Sequence, residues 1–160
     1  MIRRLQLFIT LGRTHNTYLM RKLAQSHLGR VMITIVTNLE RLKVEKISRN
    51  FSRHEFKCSC CDFATVDVKL IELLEVVRNH FNQPVKITSG CRCVKHNKSV
   101  GGAEKSKHLY GIAADIKVKD TDPEKVYDFI DAYEPERLGV GLYKSWVHVD
   151  VRPTKARWGY

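Results

Sequence analysis

The sequence lacks any run approaching the roughly 20 apolar residues that a membrane-spanning helix needs. Its first apolar stretch, Leu5 to Leu11, is broken by Gln6 and followed by polar residues. Neither a span nor a signal peptide is expected from that pattern. An even cysteine complement is missing too: the five cysteines are Cys58, Cys60, Cys61, Cys91 and Cys93. An odd number argues against a fully disulfide-paired secreted domain and fits a reducing site of synthesis. No internal repeat or low-complexity tract is present, which excludes solenoids and other arrays.

Acidic residues are scarce at one end. Residues 1–50 hold ten Lys/Arg against two Asp/Glu, a net +8 of the total +11, so residues 51–160 carry only +3. A basic excess suits nucleic acid, an anionic membrane or an acidic polymer such as a cell wall. Residues 1–46 have no clean period, and Met20 and Met32 are alternative starts, so this part reads as a basic, poorly defined N-terminal extension. A length of 160 residues suits one domain, expected over residues 47–160. The basic excess therefore lies outside that domain, and no stacking-aromatic module accompanies it, which argues against nucleic acid as partner.

What is there is well patterned. Leu70, Leu73, Leu74, Val77 and Phe81 recur at helical spacing, so a helix is expected from Asp67 to Phe81, ended by Asn82-Gln83-Pro84. Val85 to Thr88 alternates as a strand. A loop is expected from there to Gly101-Gly102. Ala113 to Val118 reads as a second strand, with Ala114, Ile116 and Val118 on one face and Ala113, Asp115 and Lys117 on the other. Asp122 caps a helix that has Pro123 at its first position and Val126, Phe129, Ile130 and Tyr133 as its buried stripe. Strands are expected again around Val140–Leu142 and Trp146–Val151. Together these elements make an α+β domain, a small, mainly antiparallel sheet flanked by helices.

The last two strong strands carry polar groups where a bland sheet would not. Val147, Val149 and Val151 share one face, which leaves Trp146, His148 and Asp150 on the other. Asp115 likewise faces away from its strand's apolar side, beside small Ala113, and His108 lies seven residues earlier in a glycine-bounded loop. Two imidazoles and one carboxylate with an open fourth position describe a catalytic zinc site, in which the metal acidifies a water and polarises a carbonyl.

Ser106-Lys107-His108-Leu109-Tyr110-Gly111-Ile112-Ala113-Ala114-Asp115 matches the SxHxxGxAxD motif of the zinc D-alanyl-D-alanine carboxypeptidase and murein endopeptidase family, which the chain resembles. His148-Val149-Asp150 looks like that family's downstream ligand motif. Ser89-Gly90-Cys91-Arg92, Asn97 and Val100-Gly101-Gly102-Ala103 stand where such enzymes carry an SGxR segment and a VGGA loop, and the likeness runs from about Ile47 to Trp158. The resemblance implies a hedgehog-like fold, one catalytic zinc held by His108, Asp115 and His148, substrate contact through Arg92, and Ser106 orienting the metal loop or touching substrate. Ser145 stands where the carboxypeptidase branch has an acidic base, and Trp146 where a related branch has a histidine. Asp150 is then the nearest acidic candidate for the base; its other role is to orient a histidine ligand.

The function implied is a metallopeptidase of phage or prophage type, acting as a monomer on D-amino-acid-containing peptides of peptidoglycan, as a carboxypeptidase or an endopeptidase. It would be made in the cytoplasm and reach the wall by lysis or a separate route. The rival is a non-catalytic, zinc-stabilised wall-binding module, since hedgehog signalling domains keep the ligands without established peptidase work. Cys58, Cys60 and Cys61 with Cys91 and Cys93 supply thiolates for a second, structural zinc if their loops meet; otherwise they are packed, reduced thiols. His54, His80 and His96 read as structural or exposed, His80 being favourably placed near a helix C-terminus.

Overall fold

The computed structural model describes residues 45–159 and, ahead of them, Val31 alone. The expected extension, residues 1–46, therefore falls almost wholly outside the described residues.

Helix α1 spans Val68–Phe81, and the side chain of Asp67 caps it by accepting the Lys69 amide N–H at 2.8 Å. Such a cap satisfies one of the donors that a helix start leaves unpaired. Leu70, Ile71, Leu73, Leu74 and Val77 are buried, and Asn82 stops the helix in the left-handed conformation, φ 50°. Pro84 disfavours the helical region for Gln83 before it, and the chain continues as strand β1, Val85–Ser89.

Helix α2, Val94–Ser99, occupies part of what the sequence suggested was loop. It has no apolar stripe to announce it: Val94 is exposed, and its buried residue is Asn97. The Asn97 amide donates to the carbonyls of Gly102 and Ala103, so the helix fastens the following glycine loop. A 3-10 turn at Lys107–Tyr110 follows and ends at Gly111, φ 68°. Strand β2 is Ala113–Val118, helix α3 is Pro123–Tyr133, and strands β3, β4 and β5 are Gly139–Tyr143, Trp146–Asp150 and Ala156–Gly159.

The five strands form one open sheet in the order β1-β2-β4-β3-β5. All neighbours are antiparallel except β3 and β5, which are parallel. One face is apolar: Ala114, Ile116, Val118, Val140, Val147 and Val149 pack with α1 and α3 residues such as Leu70, Leu74, Val77, Val126 and Ile130 into the core. Each fully buried aliphatic side chain of this kind contributes about 1.5–3 kcal/mol. That burial fixes the strand registers, because a slip by one residue would turn the valines outward and the polar set inward.

Candidate metal centre

The opposite face of the sheet collects the polar set. Register pairs Asp115 of β2 with His148 of β4, and Ala113 with Asp150. On the other side of β4, Gly141 faces His148 and Gly139 faces Asp150. Two residues in line on β4 are thus flanked on both sides by short side chains. That space is used: a Cβ on Gly139 would collide with the Asp150 carboxylate, and one on Gly141 with the Trp158 indole. Trp158 itself comes from β5 and lies 5.2 Å from the His148 ring, centroid to centroid.

His108 reaches the same place from the 3-10 turn. Ser106 precedes that turn and accepts the Leu109 amide on its carbonyl at 3.1 Å, so its role here is exercised through the backbone. His108 Nε2 lies 3.2 Å from Asp115 Oδ1 and 3.2 Å from His148 Nδ1, and His148 Nδ1 lies 2.9 Å from the same Asp115 oxygen. All three residues are buried. An ion with tetrahedral bonds of about 2.0–2.1 Å to nitrogen and oxygen sets its ligand atoms roughly 3.3 Å apart. The three donors stand close to that spacing, so the set fits a single small divalent cation.

The outer ring nitrogens support the same conclusion. His108 Nδ1 is 2.6 Å from the Gly90 carbonyl oxygen, and His148 Nε2 is 3.1 Å from Asp150 Oδ2. Each contact calls for a proton on that outer nitrogen, which turns the inner nitrogen's lone pair toward the other two donors. Histidine ligands are commonly oriented by a carbonyl or carboxylate in this way. Three electron-pair donors facing one another across 3 Å need a positive charge between them, whether proton or metal.

The electrostatics agree. Burial works against the Asp115 carboxylate's charge, but its contacts with His108 and His148 outweigh this and lower its pKa to about 2. Burial likewise disfavours a charged His148, yet Asp115 and Asp150 on its two sides prevail and raise its pKa. Both shifts run toward keeping positive charge at the site.

Asp150 is completely buried and accepts four hydrogen bonds, from His148 Nε2 and from the Arg152 amide, Nε and Nη2. A carboxylate offers about four lone-pair sites, so none is left for a water. Burial opposes its charge, but His148 and Arg152 hold its pKa well below the usual carboxylate range. It also meets His148 on the nitrogen remote from Asp115. These contacts favour the histidine-orienting role over the base role, since a general base must reach its proton and needs a pKa near the working pH.

Arg92 is also tied inward. Its Nη2 donates to Asp115 Oδ2 at 2.7 Å and its Nε to Ser89 Oγ at 3.0 Å, while its backbone amide donates to the His108 carbonyl. It therefore holds the carboxylate oxygen that the imidazoles do not use. An open cleft of about 290 Å³ runs past Arg92, Ser89, Thr88 and Glu55. Ser145 accepts from the Lys117 ammonium at 3.4 Å, and Trp146 stacks on Tyr143 with ring centroids 3.7 Å apart. His54 is exposed, and His80 stacks on Phe129 at 3.8 Å. His96 lies 3.0 Å from Ser59 Oγ, away from the metal set.

Four contributors escaped the sequence reading: Arg152, Trp158, Gly139 and Gly141. The signal for the glycines was the alternation Gly139-Val140-Gly141, which leaves one strand face bare. Arg152 and Trp158 had no motif to mark them.

No curated protein matches the chain. A family model described as peptidase M15 matches residues 40–150, which takes in every donor of the site. With two thirds of its length under that match and the motif residues converged on one point, the chain belongs to the peptidase M15 family.

Proposed function

We propose that this protein is a zinc-dependent peptidase that hydrolyses D-amino-acid-containing peptide bonds of bacterial peptidoglycan, with His108, Asp115 and His148 as the metal ligands. The observation that carries this reading is the trio of donor atoms 2.9–3.2 Å apart, each histidine turned by a partner on its outer nitrogen. Zinc bound there would supply Lewis acidity, lowering the pKa of a water to about 7 and polarising the carbonyl to be cleaved. The chain's own residues do the rest. Asp150, clamped by Arg152, fixes the His148 ring and its tautomer. The Gly90 carbonyl does the same for His108.

Arg92 holds Asp115 in its orientation through Nη2, and, as a residue lining the cleft, it is the group to meet a peptide carboxylate or carbonyl oxygen. Ser106 sets the turn that presents His108. Trp158 packs beside His148, and the burial of His108, Asp115, His148 and Asp150 strengthens each charge interaction among them.

The test is hydrolysis of purified peptidoglycan fragments by the full chain, with products identified by mass and parallel reactions in chelator. Release of defined peptides that stops with chelator and returns with zinc is expected. Zinc bound in stoichiometric amount with no product from any fragment would overturn the reading in favour of a wall-binding module.

A further inference from the structure

Away from this centre lies a second group of metal-ligating side chains. Cys58, Cys60 and Cys61 sit on the loop after the 3-10 turn Arg53–Phe56, and Cys93 starts helix α2. Their four sulfurs all lie within 4.8 Å of one another, with Cys58 to Cys60 at 3.6 Å and Cys60 to Cys93 at 3.3 Å. A tetrahedral zinc with Zn–S bonds of about 2.3 Å places its sulfurs roughly 3.8 Å apart. All four are free thiols, and Cys60 stands close to both Cys58 and Cys93 rather than to one partner, a shared arrangement that pairing into disulfides would not give.

The backbone is arranged for charged sulfur. The Cys93 amide N–H donates to Cys58 Sγ and the His96 amide N–H to Cys93 Sγ, both at 3.4 Å. The loop is closed on itself, the Cys58 amide donating to the Phe63 carbonyl at 2.7 Å and the Asp62 amide to the Cys58 carbonyl at 3.0 Å, with Asp62 at φ 58°. That closure turns three sulfurs to one side. Cys91, by contrast, is buried and its thiol lies outside the quartet.

We propose that Cys58, Cys60, Cys61 and Cys93 bind a second, structural zinc ion through four thiolates, pinning the 58–63 loop to the segment that carries Arg92. The closed four-sulfur set leaves no open position, so the site is structural, and its consequence is mechanical. Arg92 lies between Cys91 and Cys93, and its guanidinium grips Asp115. The second ion thus anchors the backbone from which the first centre is braced. This inference is independent of what the first centre catalyses.

Metal content of the full chain, purified with reductant and zinc and then desalted, is the measurement. Two zinc equivalents are expected for the natural sequence, one for the double variant Cys60→Ser/Cys93→Ser, one for His108→Ala/His148→Ala, and two for Cys91→Ser. Cobalt loaded into His108→Ala/His148→Ala should give intense thiolate-to-metal charge-transfer absorption, which imidazole and carboxylate ligands do not produce. That spectrum also settles the matter if the cysteine variant does not fold. One equivalent in the natural chain that survives Cys60→Ser/Cys93→Ser, an intact mass lighter by two or four hydrogens, or cobalt without thiolate bands would each overturn the proposal. Loss of the histidine-bound equivalent with the thiolate one retained would count against the peptidase centre alone.

Discussion

Asp150 shows how a residue's neighbours decide its role. With four donors on its two oxygens and no exposure, it acts on His148, and a metal held at the site would feel it only through that ring. Asp150→Asn should therefore weaken zinc binding by roughly 10- to 100-fold. Activity should fall in step at limiting zinc and recover substantially when zinc is in excess. A zinc titration of activity and of bound metal checks this; full occupancy with activity still abolished would return Asp150 to the role of base. Gly141 is the complementary case, a residue defined by the absence of a side chain. Gly141→Ala puts a methyl into the Trp158 ring, so the indole must leave its place over His148. Overpacking of this kind costs about 1–3 kcal/mol. Chemical denaturation should report that loss, and quenching or shift of Trp158 fluorescence should report the displaced ring.

At the scale of elements, legibility followed from period and ended where the interactions were long-range. Helix α1 and strand β2 were readable because their apolar residues repeat at 3.6 and 2, and the structure places Leu70, Leu74, Ala114 and Ile116 in the core. Asp122 and Pro123 mark the start of α3 as cap and first residue, but of its expected buried stripe only Val126 and Ile130 are buried, Phe129 is partly covered, and Tyr133, the last residue of the helix, is exposed. Helix α2 was not readable, since its buried residue is the polar Asn97. Strand β5 escaped because Ala156–Gly159 is short and pairs in parallel with β3, a contact no local pattern encodes. The three candidate metal-binding residues could be picked out from their motif, and the structure brings their donor atoms together, whereas the clamp from Arg152 and the meeting of Cys60 with Cys93, 33 residues apart, are long-range contacts that no local pattern encodes.

One further tie between elements carries its own pH dependence. Glu75 of α1 accepts from Ser48 Oγ at 2.6 Å and from the Asn50 amide and side chain at 2.8 and 2.6 Å, fastening the segment ahead of Phe51 to the helix. Burial works against its charge, but those donors lower its pKa overall. The stabilisation is thus present above the ordinary glutamate value, about 4.3, and is lost as pH falls through the lower folded value. Glu75→Gln should cost about 1.5–3 kcal/mol at neutral pH, as hydrogen bonds to a charged group do. Below about pH 4 the difference from the natural protein should shrink. Urea denaturation at neutral and acid pH would show a constant difference if the tie were unimportant.

For the molecule as a whole, the metal-free and metal-bound forms should answer to pH in opposite directions. Without metal, a protonated His148 bridges Asp115 and Asp150, and its raised pKa means that this stabilisation is complete below the ordinary histidine value, about 6.5. It drains away as pH rises through the higher folded value, leaving two buried carboxylates on either side of a neutral ring. With metal, the same imidazole must shed its proton to serve as ligand, so binding competes with protonation and strengthens as pH rises. Because ligand binding adds RT ln(1 + [L]/Kd) to stability, about 2.7 kcal/mol at a hundredfold excess over Kd, the gap between the two forms should widen across this range. Thermal unfolding of the full chain in chelator and in micromolar zinc, from about pH 5.5 to 8.5 in a window set by the histidine value, should give melting curves that are close at the acid end and separate by several degrees at the alkaline end, once the difference shown by His108→Ala/His148→Ala, which reports zinc at the thiolates alone, is subtracted. Parallel pH profiles for the two forms would mean that no metal replaces the proton between His108, Asp115 and His148.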